Sequence, residues 1–299
     1  NKLISELSKY PIDIYQLNIA LFERVNFKFL KFFLKNSLLT HYNKCKTLKI
    51  CLSKIKPDLI FSHGEDSEII SSLLTNQYRV VNVIHGTEFF PLNPILRFYL
   101  AKIARKKFNH TVIVSEKLRQ QVPINVSFSK IHAGVDLCRF QFQRNNSRLL
   151  NKKNVIFGFI GRIEEQKGIH KIVDAFIKLK AYYPNTGLEI VGLGKEEKKI
   201  RSKIQSVLIS SVNFRGNIED INSIYKNIDV LIICSESEGG PLVLLEAMAS
   251  GVLVITTKVG IVTEIIEDKF NGRLLLNNSS EEVFRVMKQT IEEEDKNKL

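Results

Sequence analysis

Val155–Phe176 reads VIFGFIGRIEEQKGIHKIVDAF. Val155–Ile160 is a solid apolar run of strand length. Gly161-Arg162 opens a loop, and from Ile169 to Leu179 apolar residues return at helical spacing. A short, wholly apolar strand that runs through a loop into an amphipathic helix is the repeating unit of a parallel sheet covered by helices on both faces. Working outward, the same alternation recurs. Strands are expected at Ile12–Leu17, Leu59–Ser62, Val80–Ile84, Thr111–Val114, Leu188–Val191, Asn213–Arg215, Val230–Ile233, Val252–Thr256 and Arg273–Leu276. Helices are expected at Ile169–Leu179, Lys195–Val207, Ile221–Tyr225 and Leu242–Ala249. The pattern predicts two such α/β domains, with the polar, basic stretch Gln141–Asn154 as the linker. The boundary is expected near residue 146, giving domains 1–146 and 147–299.

Lys167-Gly168 stands just ahead of the predicted helix. A cation at a helix N-terminus opposes the helix dipole by ~0.3–1 kcal/mol, and a bound phosphate between the two reverses that sign. Arg162 and Lys167 are therefore either a clamp for a diphosphate or surface cations bonded to Glu164 or Glu165. Gly192-Leu193-Gly194-Lys195 reads as a tight strand-to-helix turn, since neither Gly-x-Gly-x-x-Gly nor a P-loop occurs in the chain.

Ser235–Gly251, SESEGGPLVLLEAMASG, carries a second candidate site. Proline suits the first position of a helix and glycine its end, so a helix is expected from about Pro241 to Ser250. Within Leu242–Ala249 the one polar residue is Glu246, which reads as a helix buried all round with a carboxylate inside it. A buried carboxylate requires a partner: a core Arg or Lys, or ligand hydroxyls. Glu238 sits ahead of that helix, beside the backbone amides of Gly239 and Gly240, and is either part of the same site or a solvated loop residue.

The 299 residues contain 44 Lys+Arg and 31 Asp+Glu, a net charge of +13, with 44% hydrophobic residues. This composition excludes a disordered or collagen-like chain. Residues 1–150 hold 23 Lys/Arg against 10 Asp/Glu, whereas residues 151–299 hold 21 of each. Residues 23–56 alone carry nine cations and one acid, with Arg24, Lys28, Lys31 and Lys35 at helical spacing among phenylalanines. That is the pattern of a basic amphipathic helix against an anionic membrane surface, or of a solvated face over an ordinary core. Lys102, Arg105, Lys106 and Lys107 form a second basic cluster. The cysteines at 45, 51, 138 and 234 show neither disulfide-framework nor zinc spacing, which fits a reducing, cytoplasmic setting. No apolar run reaches the ~18–20 residues of a spanning helix. The chain opens on Asn1 in what reads as mid-helix, so the first domain is expected to be incomplete.

Together these segments resemble the retaining nucleotide-sugar glycosyltransferases of GT-B type, which have two Rossmann-like domains, and in particular glycosyltransferase family 4 (glycosyl transferases group 1). Glu238-x7-Glu246 followed by Ala247-Met248-Ala249 is similar to that family's paired-glutamate signature, and Arg162-x4-Lys167-Gly168 to its donor-phosphate pair. His85-Gly86, Gly134-Val135-Asp136 with Phe140, and Asn271-Gly272 match as well, so the resemblance spans about residues 57–277. It implies that Arg162 and Lys167 neutralise a donor diphosphate and that Glu246 takes the ribose hydroxyls. Glu238, with Gly239 and Gly240, would hold the donor sugar, and His85 would contact the sugar or phosphate. It further implies retention by front-face attack, no metal and no cofactor besides the nucleotide-diphosphate-sugar substrate. The acceptor would be a glycan or lipid-linked sugar in cell-surface polysaccharide or glycolipid synthesis, on the cytoplasmic face of the membrane. No Asp-x-Asp pair occurs, in agreement. Ala133 and Ile261 depart from the family's usual Asn and Gly, and the family's glycine-rich first loop and terminal helix fall outside the sequence. Two competing readings are a noncatalytic GT-B partner subunit and a basic nucleic-acid-binding protein. The second has no recognised reader motif, and no nucleic acid is expected as a partner.

Overall fold

The computed structural model describes residues 38–86, 101–141, 155–205 and 210–296. The expected strand at Ile12–Leu17, the basic segment 23–37 and most of the linker lie outside the described residues. The chain divides into two compact units. One comprises Asn1–Val83, Glu88–Val112 and Gln121–Ser129, and the other Ile84–Thr87, Ile113–Gln120 and Lys130–Leu299.

The first unit carries a four-stranded sheet in the order β1 (Ile60–His63), β2 (Val80–Ile84), β3 (His110–Ile113), β4 (Ser127–Lys130). β1 and β2 are parallel, with Ile60 beside Val80. The last residues of β2, β3 and β4 already cluster with the second unit. β4, with sequence SFSK, was not expected: its alternating serines hide a strand from a search for solid apolar runs. The helix Leu38–Ile55 turns Leu48 and Leu52 toward Leu74 and Ile60. Arg105 does not add to a surface cluster. It is buried and forms an ion pair with buried Glu68, its Nε and Nη2 at 3.0 and 2.9 Å from the carboxylate, while Asn82 Nδ2 donates to the same carboxylate at 2.7 Å. A buried carboxylate persists only when it is satisfied in this way. Lys102, Lys106 and Lys107 remain exposed.

The second unit holds a six-stranded sheet ordered β10 (Arg273–Leu274), β9 (Leu253–Thr256), β8 (Val230–Ile233), β5 (Ile156–Ile160), β6 (Gly187–Val191), β7 (Val212–Gly216), with every pair parallel. Period-two alternation divides the central strands between two cores. Phe157, Leu188, Ile190, Val230, Ile232 and Ile255 face one core, packed by the helices Ile169–Lys180, Glu197–Gln205 and Ser280–Lys296. Leu231, Ile233 and Val254 face the other, packed by Tyr225, Leu244, Ala247 and Val262. Each fully buried Leu, Ile or Phe contributes ~1.5–3 kcal/mol, so both layers are needed to hold the sheet. Glu189 enters the sheet as a buried carboxylate and is satisfied by Arg215 Nε at 2.7 Å and Asn213 Nδ2 at 2.9 Å from the neighbouring strand. The two parallel α/β sheets are the expected fold class.

The helix Leu242–Ala249 is not buried all round. Leu244 and Ala247 point into the core, Leu242 is 52% exposed and Glu246 is half-buried. An almost wholly apolar helix conceals which of its faces meets the sheet, because the hydrophobic pattern has no polar side to orient it.

Candidate functional site

Two loops of the second unit meet at the carboxyl ends of β5 and β8. The first leaves β5 through Gly161-Arg162 and makes one tight helical turn, Glu165–Lys167, before the helix Ile169–Lys180. Between turn and helix stands Gly168, with φ +71°, and a Cβ there would lie 2.2 Å from the Cys234 carbonyl oxygen. Only glycine permits both the left-handed backbone and this approach. The Glu236 amide then donates to the Gln166 carbonyl at 2.9 Å. The loop after β8 is thereby fastened against the turn that ends in Lys167.

This fastening brings Lys167 and Glu238 together. The Lys167 ammonium forms an ion pair with Glu238 Oε1, and the Ser235 hydroxyl donates to that same oxygen at 2.8 Å. Their side chains are 20% and 17% exposed, enough to reach a ligand and dry enough to strengthen the interaction. Gly239 follows, and its carbonyl accepts the Ile261 amide at 3.0 Å. A Cβ on Gly239 would stand 1.4 Å from the His85 carbonyl oxygen, so the backbone of His85-Gly86 lies directly against Gly239. The His85 side chain is exposed. Gly240 faces Val114 and Ile261 at ordinary van der Waals distance.

Arg162 belongs to the same loop as Lys167 but has another partner. Its Nη1 lies 3.1 Å from Glu164, and the side chain is 64% exposed. Glu246 lies one helical stretch beyond Glu238, and its partner is neither Arg nor Lys: the hydroxyl of wholly buried Tyr225 donates to Oε2 at 2.7 Å. Burial and the adjacent Glu246 carboxylate both push the Tyr225 phenol far above its ordinary value, so it remains a donor at any working pH. Burial likewise raises the Cys234 thiol to about 11, which marks it as a packing residue and not a nucleophile.

Sequence reading missed Ser235 and Tyr225. Ser235 carries no distinguishing pattern. The helical pattern at Ile221–Tyr225 sets Tyr225 beside Ile221 and Ile224 on an apolar face, and a buried tyrosine normally finds an acceptor for its hydroxyl. Among the described residues, no group of three His, Cys, Asp or Glu side chains is arranged to hold a metal ion. No helix among them is long and apolar enough to cross a membrane.

Known proteins resemble this chain in sequence and in fold. The chain is 26% identical over 249 residues to an uncharacterized glycosyltransferase of Methanocaldococcus jannaschii, covering 77% of this chain and 64% of that protein. It is 27% identical over 209 residues to the capsular polysaccharide biosynthesis glycosyltransferase CapM of Staphylococcus aureus, covering 64% and 52%. The chain thus spans less than two thirds of the length of these curated relatives. Anabaena HepE, solved with UDP and glucose, superposes with a TM-score of 0.70 at 21% identity over 82% of this chain and 71% of that one. That likeness shows the GT-B fold, two parallel-sheet α/β domains. The family model of the glycosyl transferases group 1 matches residues 140–298, more than half of the chain and every strand of the six-stranded sheet. The chain belongs to the glycosyl transferases group 1.

Proposed function

We propose that this chain is a retaining, metal-independent glycosyltransferase of family 4. It moves a sugar from a nucleotide-diphosphate-sugar to a glycan or lipid-linked acceptor in cell-surface polysaccharide or glycolipid synthesis, at the cytoplasmic face of the membrane. The observation that carries the reading is the Lys167–Glu238–Ser235 constellation at the carboxyl ends of β5 and β8, where parallel α/β sheets bind ligands. Family membership and a fold shared with a UDP-bound enzyme support it. So does the start of the family match at residue 140, close to the boundary expected between an acceptor-side domain, 1–146, and a donor domain, 147–299.

The roles proposed for the site residues are those that the family resemblance implies. Lys167, with Arg162 reaching in from solvent, neutralises the diphosphate and the charge that develops on it as the glycosidic bond breaks. As the ammonium turns to phosphate it releases Glu238, which accepts hydrogen bonds from the donor sugar beside the Gly239 and Gly240 amides. Tyr225 fixes Oε2 of Glu246, and Oε1 takes the ribose hydroxyls. His85 contributes its exposed ring to the sugar or phosphate. Catalysis is then mainly positioning and electrostatics.

The test is release of nucleotide from a panel of UDP-, GDP-, ADP- and TDP-sugars, with and without chelator, and with product anomers followed by NMR. Turnover of one donor, unaffected by chelator and with its anomeric configuration kept, is expected. Absence of both turnover and nucleotide binding across the panel would refute the reading.

The same chain would attach to an anionic bilayer through residues 23–56. The described part supports this: Lys46, Lys49, Lys54 and Lys56 are exposed beside exposed Ile50 and Ile55. Co-sedimentation with vesicles containing phosphatidylglycerol should exceed that with phosphatidylcholine alone and fall with salt. Equal, salt-independent recovery would exclude attachment.

A further inference from the structure

Glu264 has no role in the site as described, yet its carboxylate gathers three donors. Oε1 accepts the Glu116 amide at 2.7 Å, and Oε2 accepts Lys130 Nζ at 2.8 Å and the His132 ring Nε2 at 3.1 Å. All four residues belong to the second unit. Lys130 also lies 3.5 Å from the Glu116 carboxylate, and Lys117 Nζ donates to the Lys258 carbonyl at 3.3 Å. The stretch Lys258–Ile265 is thereby stapled at both ends to the segments that follow β3 and β4. Burial pushes the Glu264 carboxyl upward, and Lys130, the Glu116 amide and His132 more than offset this, leaving it below the ordinary carboxylate range. The carboxylate is therefore charged, and its ion pair with Lys130 formed, throughout the neutral range.

What the staple holds is the backbone behind the sugar loop. Gly260, three residues before the helix-borne Thr263 and four before Glu264, has φ +46°, and a Cβ on it would stand 2.1 Å from the Gly239 carbonyl oxygen and 2.6 Å from that of Glu238. The Ile261 amide donates to Gly239, and the Glu264 amide donates to the Ile261 carbonyl at 2.9 Å. Gly239 is pressed between this turn and the backbone of His85-Gly86. The loop carrying Glu238 can shift only if the Gly260 turn shifts, and that turn is anchored through Glu264.

We propose that Glu264 is a positioning residue for the sugar-contacting loop Glu238–Gly240, acting through the Gly260 turn by its bonds to Glu116, Lys130 and His132. This rests on the reading of Glu238 as the sugar-holding carboxylate. Because Lys167 reaches the diphosphate from a different loop, Glu264 governs the sugar part of donor recognition and not the nucleotide part.

The experiment compares Glu264→Gln with the wild-type chain by calorimetric titration of paired probes: UDP with UDP-glucose, GDP with GDP-mannose and ADP with ADP-glucose, using the pair that wild type binds. The variant should bind the free diphosphate within about twofold of wild type, while affinity for the sugar conjugate and kcat each drop about tenfold. The double substitution Lys130→Met with His132→Gln, which leaves the carboxylate in place, should reproduce this split. An unchanged ratio of the two affinities in both variants would overturn the proposal. An equal loss for both probes together with a lowered Tm would also overturn it, by reducing Glu264 to a structural role. If wild type binds no diphosphate at all, the functional reading itself fails and this inference falls with it.

Discussion

On the proposed function, Lys167→Ala is expected to lower kcat/KM for the nucleotide-sugar by about 10²–10³-fold, the loss typical when one preorganised charge facing a developing anion is removed. Lys167 is the cation held at the meeting point of the two site loops, by its pair with Glu238. Without it the leaving diphosphate keeps only Arg162, which is 64% exposed and shares its charge with Glu164. Affinity for free nucleoside diphosphate should fall as well, but by less, because the ammonium neutralises the bound diphosphate and acts more strongly on the charge that develops in the transition state. Stability should change by less than ~1 kcal/mol, since Glu238 retains the Ser235 hydroxyl and both side chains touch solvent. Lys171→Ala is the matched control. It removes a lysine from the first turn of the helix that follows, where it pairs with exposed Glu236 at 3.1 Å, and it should leave turnover unaltered. Full activity in Lys167→Ala would remove the residue from the donor site.

Gly239→Ala abolishes the folded site, and the neighbouring Gly240→Ala does not. On Gly239 a Cβ would fall 1.4 Å from the His85 carbonyl oxygen and 2.3 Å from its carbon, both rigid backbone atoms. On Gly240 it would meet Val114 Cγ2 at 3.7 Å and Ile261 Cγ2 at 3.8 Å, which is ordinary contact. The first substitution must push two backbone segments apart and should cost more than ~3 kcal/mol, visible as lost soluble protein or a Tm lower by ten degrees or more. The second should cost less than ~1 kcal/mol. Equal thermal melts for the two variants would contradict the close approach of His85 to Gly239.

Elements buried on both faces were legible from sequence because they consist of little but apolar residues: β2 and β8 fall where the apolar runs lie, Val80–Ile84 and Val230–Ile233. β4 was not legible, because Ser127 and Ser129 turn outward to His110 at 2.8 and 3.0 Å and break the run. The paired glutamates were singled out through the family resemblance, and their partners could not be read from the sequence. Tyr225 reaches Glu246 across 21 residues and Lys167 reaches Glu238 across 71, separations that only the sheet order closes. Arg105 misled for the same reason. Within the string Arg-Lys-Lys it looks solvated, and it is the 37-residue return to Glu68 that buries it.

The strand order β10-β9-β8-β5-β6-β7 has a consequence for what can vary in this site. From β5 the chain winds outward through β6 to β7, and from β8 it winds the opposite way to β9 and β10. β5 and β8 are therefore the neighbours at which the winding reverses, and the helices that follow them leave for opposite faces, Ile169–Lys180 to one core and Leu242–Ala249 to the other. Two chains that diverge from adjacent strand ends leave a crevice between them whatever their side chains are. On the proposed function the place of binding is thus set by topology, and side chains decide only what is bound there. If the Arg162–Lys167 and Ser235–Gly240 loops hold the donor as proposed, substitutions in them can exchange one donor for another without a new fold, whereas a change in the winding order would remove the crevice itself.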